Sequence, residues 1–288
     1  MSAKLLEGKV LADTIKEALR REVGSLEHRP RLVAVQIGEN AASSVYCKSQ
    51  KKAAEYVGIE YEIRTIPHTA TQRQCEEVIR GLNSEAAVTG IILQLPVPQG
   101  IDHRALLNQV DPMKDAEAMH PKNLGQIVLG EWKMAPCTAH ACMTLIESTG
   151  IPLRGKEAVI VGHSEIVGKP LALMLVSKFA TITVCHIATG ERGLVPDHVK
   201  RAEILVVAVG KAGIVKGSWV REGAVVIDVG INKVNDTIVG DVEFTEASQR
   251  ASYITPVPGG VGPLTVTMLM KNTVEAFKLQ RSFSKVGI

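Results

Sequence analysis

The chain has 288 residues, of which 45% are hydrophobic, 22% charged and 3% aromatic, and it carries a formal charge of +3. That length fits one large or two ordinary domains, with cores built from Val, Ile, Leu, Ala and Met. So small a charge, without an aromatic-interleaved basic stripe or an RNA-recognition signature, argues for a small-molecule partner and against nucleic acid. No apolar run reaches the ~18 residues of a membrane span, so no membrane association is expected. Five cysteines without a CxxC point to a reducing compartment, and eight histidines show no ligand spacing, so no metal site is expected. The first residues carry charges at helical spacing, including Glu7, Asp13 and Glu17, unlike a targeting segment. A soluble cytoplasmic protein is the expectation.

Residues 8–27 read as an amphipathic helix and RLVAVQIG (31–38) as a buried strand closed by glycine. The stretch SSVYCKSQKKAAEYVG (43–58) reads as a helix stopped by Gly58. At about 100° per residue, Lys48, Lys51, Lys52 and Glu55 share one face, and Tyr46, Gln50, Ala53 and Val57 share the other. A tyrosine and a glutamine one turn apart therefore point inward. They must find hydrogen-bond partners in the core or line a site. A strand over 61–68, a helix over 71–84 and a strand over VTGIILQLPVP (88–98) follow. This βαβαβ rhythm predicts an α/β fold with a parallel, doubly wound sheet, whose binding residues lie beyond the carboxyl ends of the strands. Gln94, Pro96 and Pro98 fall at such a position. Asn123, Gly125 and MAPCTAH (134–140) read as loop in the same half. There His140 is either a general acid or a satisfied structural histidine, and Asp111 and Asp115 cap or solvate a loop.

A second unit starts near residue 150. EAVIVGHSEIVGKPLALMLVSKFATITVCH reads as strand (157–161), glycine turn (Gly162 to Gly168), helix from about Pro170, and strand. Buried strands at 202–210 and 224–232 complete a dinucleotide-type module. The turn opens a helix, where free N–H groups and the dipole favour phosphate, so Gly162, His163 and Ser164 are candidate cofactor residues. The next strand ends in Cys185, His186 and Ile187, without the carboxylate that would select NAD. His163, His186 and Arg192 lean towards the 2′-phosphate of NADP, and NAD stays open. The expected domains are 1–145 with the C-terminal helix 266–288, and 146–265 as the NAD(P)-binding module. In TPVPGGVGPLTVTMLM (255–270), three prolines and three glycines predict a rigid loop before an apolar helix over 264–280. The backbones of Gly259, Gly260 and Gly262 are free to approach a ligand.

Here a resemblance becomes clear. TPVPGGVGPLTVTML, VIVGHSEIVGKP, VVAVGKAGIVKGSWVREGAVVIDVGIN and LQLPVP resemble motifs of the bifunctional methylenetetrahydrofolate dehydrogenase/cyclohydrolase family, in order, from the Tyr46 helix to about residue 275. The resemblance implies two α/β domains around a cleft, the second Rossmann-type, and a homodimer formed through that domain. It implies oxidation of 5,10-methylenetetrahydrofolate to the methenyl form with NAD(P)⁺, and in many members hydrolysis to 10-formyltetrahydrofolate. It places Tyr46, Gln50 and Gln94 as catalytic residues. Tyr46, Gln94, Pro96, Glu117, Pro258, Gly259, Gly260 and Pro263 would contact substrate. Gly162, His163, Ser164, Ile166, His186, Thr189, Gly210, Ile231 and Gly259 would contact the cofactor.

The departures from the pattern are as informative. The family helix reads Tyr-x-x-x-Lys, and Gln50 stands where the lysine would be. Lys48 and Lys51 project about 160° and 100° away from it. KDVDG is replaced by KDAEA (114–118), which puts Glu117 and Ala118 in place of aspartate and glycine; CTP is replaced by Cys137-Thr138-Ala139, and Ile187 replaces a serine or arginine. Hydride transfer needs mainly alignment, whereas hydrolysis must move protons, which an amide cannot do. The expectation is a dehydrogenase with weak or absent cyclohydrolase activity. The alternatives are C–N oxidation or imine reduction on a non-folate substrate, and a non-catalytic folate or nucleotide sensor.

Overall fold

The computed structural model describes residues 2–38 and 41–286, and their side chains apart from 41–45 and 283–286. Its strands are, in chain order, β1 Lys4–Leu5, β2 Arg31–Ile37, β3 Glu60–Ile66, β4 Gly90–Leu93, β5 Glu157–Val161, β6 Thr181–Cys185, β7 Ile204–Val207, β8 Val225–Asp228, β9 Asn232–Val234, β10 Thr237–Val239 and β11 Tyr253–Ile254. The chain divides into two compact units, one of Asp13–Gln126, Glu131–Cys137 and Val266–Ile288, the other of Met1–Ala12, Ile127–Gly130 and Thr138–Thr265.

The first unit carries a parallel three-stranded sheet in the order β3-β2-β4. β2 is the central strand, and Val33, Val35 and Ile37 pack with Cys75, Ile79 and Leu82 of the helix Gln72–Ser84. Leu32 and Ala34, on the other face, are equally buried. Burial on both faces explains an unbroken apolar run where a half-exposed strand would alternate. Thr71 starts the helix Gln72–Ser84 with a capping box to Gln74. Beyond β4 the segment 114–116 makes one parallel bridge, Ile91 to Asp115, in which Ile91 N donates to Lys114 O and Ala116 N donates to Ile91 O. Lys114 anchors that segment. Its buried ammonium donates to the carbonyls of Leu82, Asn83 and Glu85, and its pKa is lowered by burial.

The second unit holds a six-stranded parallel sheet, β1-β11-β8-β7-β5-β6, with an antiparallel β9–β10 hairpin beside it. β6 and β7 flank β5 on opposite sides. The carboxyl end of β5 is thus the topological switch point at which such folds bind ligands. Gly162 makes this end possible. Its φ is +123°, and a Cβ there would stand 2.2 Å from Ala208 O. Gly168 is equally constrained, since its Cβ would lie 2.0 Å from Gly162 O.

Several expected boundaries move. The helix after the glycine turn starts at Gly168, two residues before Pro170, because the carbonyl of Val167, its N-cap, already accepts from Leu171 N. The strand expected over 88–98 is limited to Gly90–Leu93, and the Leu95–Pro96 peptide beyond it is cis. Asn123 and Gly125 lie in the helix Pro121–Leu129, and of 134–140 only 134–136 is loop, since Cys137 to His140 open the helix Cys137–Ser148. Pro121 at a first helical position explains the first of these. The last helix is Val261–Val286, longer than 264–280, with Pro263 in its first turn rather than in a loop. β1 and β11, two residues each, were not expected.

Candidate functional site

In the three-stranded unit the helix Ala41–Val57 packs on β3 with the polarity the spacing predicts. Lys48, Lys51, Lys52 and Glu55 are exposed, while Gln50, Ala53 and Val57 are buried and Tyr46 is half-buried. Gln50 has no solvent exposure (0%). Its Oε1 accepts from the Tyr61 hydroxyl at 2.7 Å and from Gln94 Nε2 at 3.0 Å, and its Nε2 finds no partner in hydrogen-bonding geometry among the described residues. Gln94 is buried just beyond β4, and its N–H donates to Val35 O. Tyr61 thus reaches Gln50 from near the amino end of β3, and Gln50 meets the residue just beyond the carboxyl end of β4.

The 114–118 segment brings Glu117 to the same end. Burial pushes the Glu117 carboxyl up to about 8, and the nearby charge of Asp115 adds to this. Burial raises the Tyr46 hydroxyl well above its ordinary range, with Cys137 and Glu117 contributing and the Gln50 side chain opposing. Cys137 is buried and its thiol is likewise pushed well up, so it stays a neutral, unreactive sulfur. Asn272 ties this corner together, donating to Ala116 O, Ala135 O and Cys137 Sγ. Asp115 accepts from His120 N and Asn123 Nδ2, and Asp111 from Met113 N, so both act as loop braces. Ala118 has φ +55°, a left-handed conformation in which its Cβ is strained and which glycine adopts freely.

The Glu117 shift has a direct consequence for stability. Its folded pKa of about 8 lies above the unfolded value of about 4.3. Between those values the folded chain binds the proton more tightly, so the contribution is full below about pH 4.3 and is lost as pH rises to about 8. Thermal melting from about pH 5 to about pH 8.5 is expected to show a falling Tm in the native chain. In Glu117→Gln that part of the fall disappears.

In the six-stranded unit a cavity of about 710 Å³ opens at the carboxyl ends of β5, β6 and β7. Gly162, His163, Ser164 and His186, all expected at a cofactor site, line it. The His163 and His186 rings are 5.5 Å apart between centroids. The Ser164 hydroxyl accepts from Val167 N and closes the turn. Trp219, Ile214, Val209 and Lys211 also line the cavity and were not expected. The volume, the turn opened by Gly162 and the polar side chains of His163, Ser164, His186 and Lys211 on the wall fit a dinucleotide.

Other expected residues are not on that cavity wall. Thr189 accepts from His186 N and so braces the short helix Ile187–Glu191. Ile166 and Ile231 are exposed, and Glu191 rather than Arg192 lines the wall. Gly210, with φ +74°, donates to Asp241. Gly260 has an internal reason for lacking a side chain, since a Cβ would stand 2.7 Å from Thr255 Cβ and from Pro256 O. Gly259 O accepts from Gly8 N, and at Gly259 (φ +110°) the nearest atom to a Cβ would be Pro256 Cγ at 3.8 Å. Pro258, preceded by a cis peptide, is exposed and Pro263 half-buried. Pro96 is exposed beyond Gln94, and His140 is buried within its helix.

Two groups escaped the sequence reading. Tyr61 registered there as a strand residue alone. Asp241 is fully buried and accepts from Val209 N, Gly210 N, Lys211 N and Asn232 Nδ2 at 2.7–2.9 Å. Asp228 accepts in turn from Gly230 N, Asp241 N and Val242 N, and burial pushes its carboxyl up to about 6. A signal for this pair existed in acids closing apolar runs beside Gly230 and Gly240. A Cβ on either glycine would strike the opposing carboxylate.

Comparison with known proteins supplies the context for both sites. Residues 6–117 match the model of the tetrahydrofolate dehydrogenase/cyclohydrolase catalytic domain, and residues 136–281 match that of the corresponding NAD(P)-binding domain. The bifunctional protein FolD of Acetivibrio thermocellus is 48% identical over 284 residues, covering 97% of this chain and 99% of that protein. Among solved structures, the FolD methylenetetrahydrofolate dehydrogenase/cyclohydrolase of Campylobacter jejuni aligns with a TM-score of 0.93 and 40% identity, covering 97% of this chain and 100% of that one. The FolD of Trypanosoma brucei, solved with NADP cofactor and an inhibitor, aligns with a TM-score of 0.92 and 39% identity, covering 98% and 99%.

Proposed function

Since the chain belongs to the tetrahydrofolate dehydrogenase/cyclohydrolase family, we propose that it oxidises 5,10-methylenetetrahydrofolate to the 5,10-methenyl form, with weak or absent hydrolysis of that product. One observation carries the second half of this reading. The buried inward position one turn after Tyr46 is an amide, Gln50, where the family pattern has lysine.

NAD(P), when bound, supplies a hydride acceptor. The protein's part in the oxidation is alignment and exclusion of water, because N5 and N10 of the folate supply the electron push. Tyr46 offers a ring for the pterin to stack on, and Gln50 and Gln94 border the reacting end. Hydrolysis asks more. Water must lose protons as it attacks, and a positioned acid–base group is worth ~10²–10⁴-fold. Gln50 and Gln94 do not titrate. Burial holds the Tyr46 and Tyr61 hydroxyls far above neutral pH. Burial raises the Glu117 carboxyl to about 8, so below that pH it is mostly a donor to a bound ring. The relatives named as bifunctional dehydrogenase/cyclohydrolase support both activities, and the departure at Gln50 alone supports the restriction proposed here.

For the cofactor, Gly162, His163, Ser164 and His186 would hold the dinucleotide, with Lys211 on the same wall. Three basic side chains against Glu191 support NADP over NAD. A homodimer through the six-stranded unit is supported by exposed Leu173, Val176 and Phe179 on and after the helix Gly168–Ser177. Glu117, one methylene longer than the family's aspartate, favours a second reading, C–N oxidation or imine reduction on a non-folate substrate. Turnover assays with 5,10-methylenetetrahydrofolate and either NADP⁺ or NAD⁺ decide between the two. Methenyl product formed in step with reduced cofactor, faster with NADP⁺, is the expected result. Absence of product from protein that binds the cofactor points to the second reading.

A further inference from the structure

Tyr61 lies on β3, opposite Leu32 of β2 in the register, beside the helix that carries Gln50. Its hydroxyl and Gln94 Nε2 both donate to Gln50 Oε1. An amide oxygen has two lone pairs, so these two bonds fill it and fix the plane of the amide. The Nε2 group is thereby turned away from Tyr61 and Gln94. It is buried without an acceptor in full hydrogen-bonding geometry among the described residues, on the side where the Gln50 side chain acts on the Tyr46 hydroxyl. Such a group costs stability unless something else accepts from it.

We propose that Tyr61 is a positioning residue for the substrate site, locking the Gln50 amide so that its N–H₂ group is presented as a donor to an acceptor atom of the bound folate. This rests on the reading of Gln50 as a substrate-site residue given above. The lock has a chemical consequence. While Oε1 is doubly occupied it cannot accept a hydrogen bond from an attacking water, so the arrangement holds substrate and does not assist hydrolysis. Burial raises the Tyr61 hydroxyl far above its ordinary range, so it remains a donor across the working pH range. A lysine at residue 50 would need no such lock, because an ammonium presents donors in every rotamer.

The test is a double-mutant cycle read by calorimetric binding of tetrahydrofolate, which requires no turnover. Tyr61→Phe keeps the ring and removes the hydroxyl, leaving the amide free to turn over. Tetrahydrofolate binding is expected to weaken about fivefold to tenfold, the size of one hydrogen bond, with NADP⁺ binding unchanged. In a Gln50→Met background the same Tyr61→Phe change is expected to have no further effect. Unchanged tetrahydrofolate binding in Tyr61→Phe overturns the inference. So does an equal loss in both backgrounds, which would mark a packing role for the ring. A native chain that binds no tetrahydrofolate removes the proposed function together with this inference. Native binding with an indifferent Tyr61→Phe removes the inference alone.

Discussion

Gln50→Lys is expected to raise protein-dependent hydrolysis of 5,10-methenyltetrahydrofolate by about a hundredfold or more, the usual scale of a positioned acid–base group. Dehydrogenation is expected to continue within a few-fold of its original rate. The reason lies in the surroundings of residue 50. Its side chain ends between the Tyr61 hydroxyl and the Gln94 amide, with Tyr46 nearby. An ammonium placed there can donate to the oxygens of Tyr61 and Gln94, so the substitution has ready partners. Burial disfavours its charge and brings its pKa down towards neutrality, where a lysine can carry protons to and from water. The effect is expected to fall mainly on hydrolysis, since the ammonium keeps a donor where the Gln50 N–H₂ group stood and the other alignment groups are left in place. Rates of methenyl formation and decay, measured on the same preparations, check the outcome. A variant that dehydrogenates normally and hydrolyses no faster than the native chain contradicts the account.

Asp241→Ala is expected to be the most damaging single change in the six-stranded unit. Asp241 is fully buried, and three successive backbone N–H groups and the Asn232 amide all donate to its carboxylate. Removing it leaves three backbone donors without an acceptor, each costing about 1–3 kcal/mol if it stays buried, and leaves Asn232 Nδ2 with Val239 O alone. Part of the strain is relieved by water entering, so a total loss of roughly 4 kcal/mol is expected, or a Tm lower by about 8–16 °C. The loss is also functional, because Val209 and Lys211 line the cavity. NADP⁺ binding is expected to weaken at least about tenfold at a temperature where the variant is folded, while tetrahydrofolate binding is little changed. Melting curves and calorimetric titration with NADP⁺ test both halves. A normal Tm with normal cofactor binding overturns the assignment.

The elements most legible in the sequence are those whose stability is local or wholly apolar. β2, β5 and β7 are buried on both faces over the short apolar runs LVAV, AVIV and ILVV. The glycine turn is readable because only glycine tolerates the approach to Ala208 O. The inward pair Tyr46 and Gln50 follows from helical pitch, and charges on the opposite face fix its orientation. Long-range pairing was not legible. β1 and β11 are two residues each and exist because Lys4 and Leu5 pair with Tyr253 and Ile254, some 250 residues away. Asp241 hid for the same reason, since its partners are mostly backbone groups of a distant segment. Tyr61 was readable as a strand residue, but its bond to Gln50 depends on how the helix sits over β3. The expected cofactor contacts at Thr189, Ile166 and Ile231 came from motif position, whereas the cavity wall depends on where the loops run after β6 and β7.

On the proposed reading, this chain oxidises methylenetetrahydrofolate but lacks the lysine that would carry protons in hydrolysis. The measurement that bears on it most directly is the decay of purified 5,10-methenyltetrahydrofolate, followed spectrophotometrically with and without protein in the same buffer. Decay at the buffer rate, from a preparation that forms the methenyl compound when given methylenetetrahydrofolate and NADP⁺, is the predicted result. Decay accelerated in proportion to protein concentration, at a rate comparable with dehydrogenation, would contradict it and show that Gln50 suffices for both reactions.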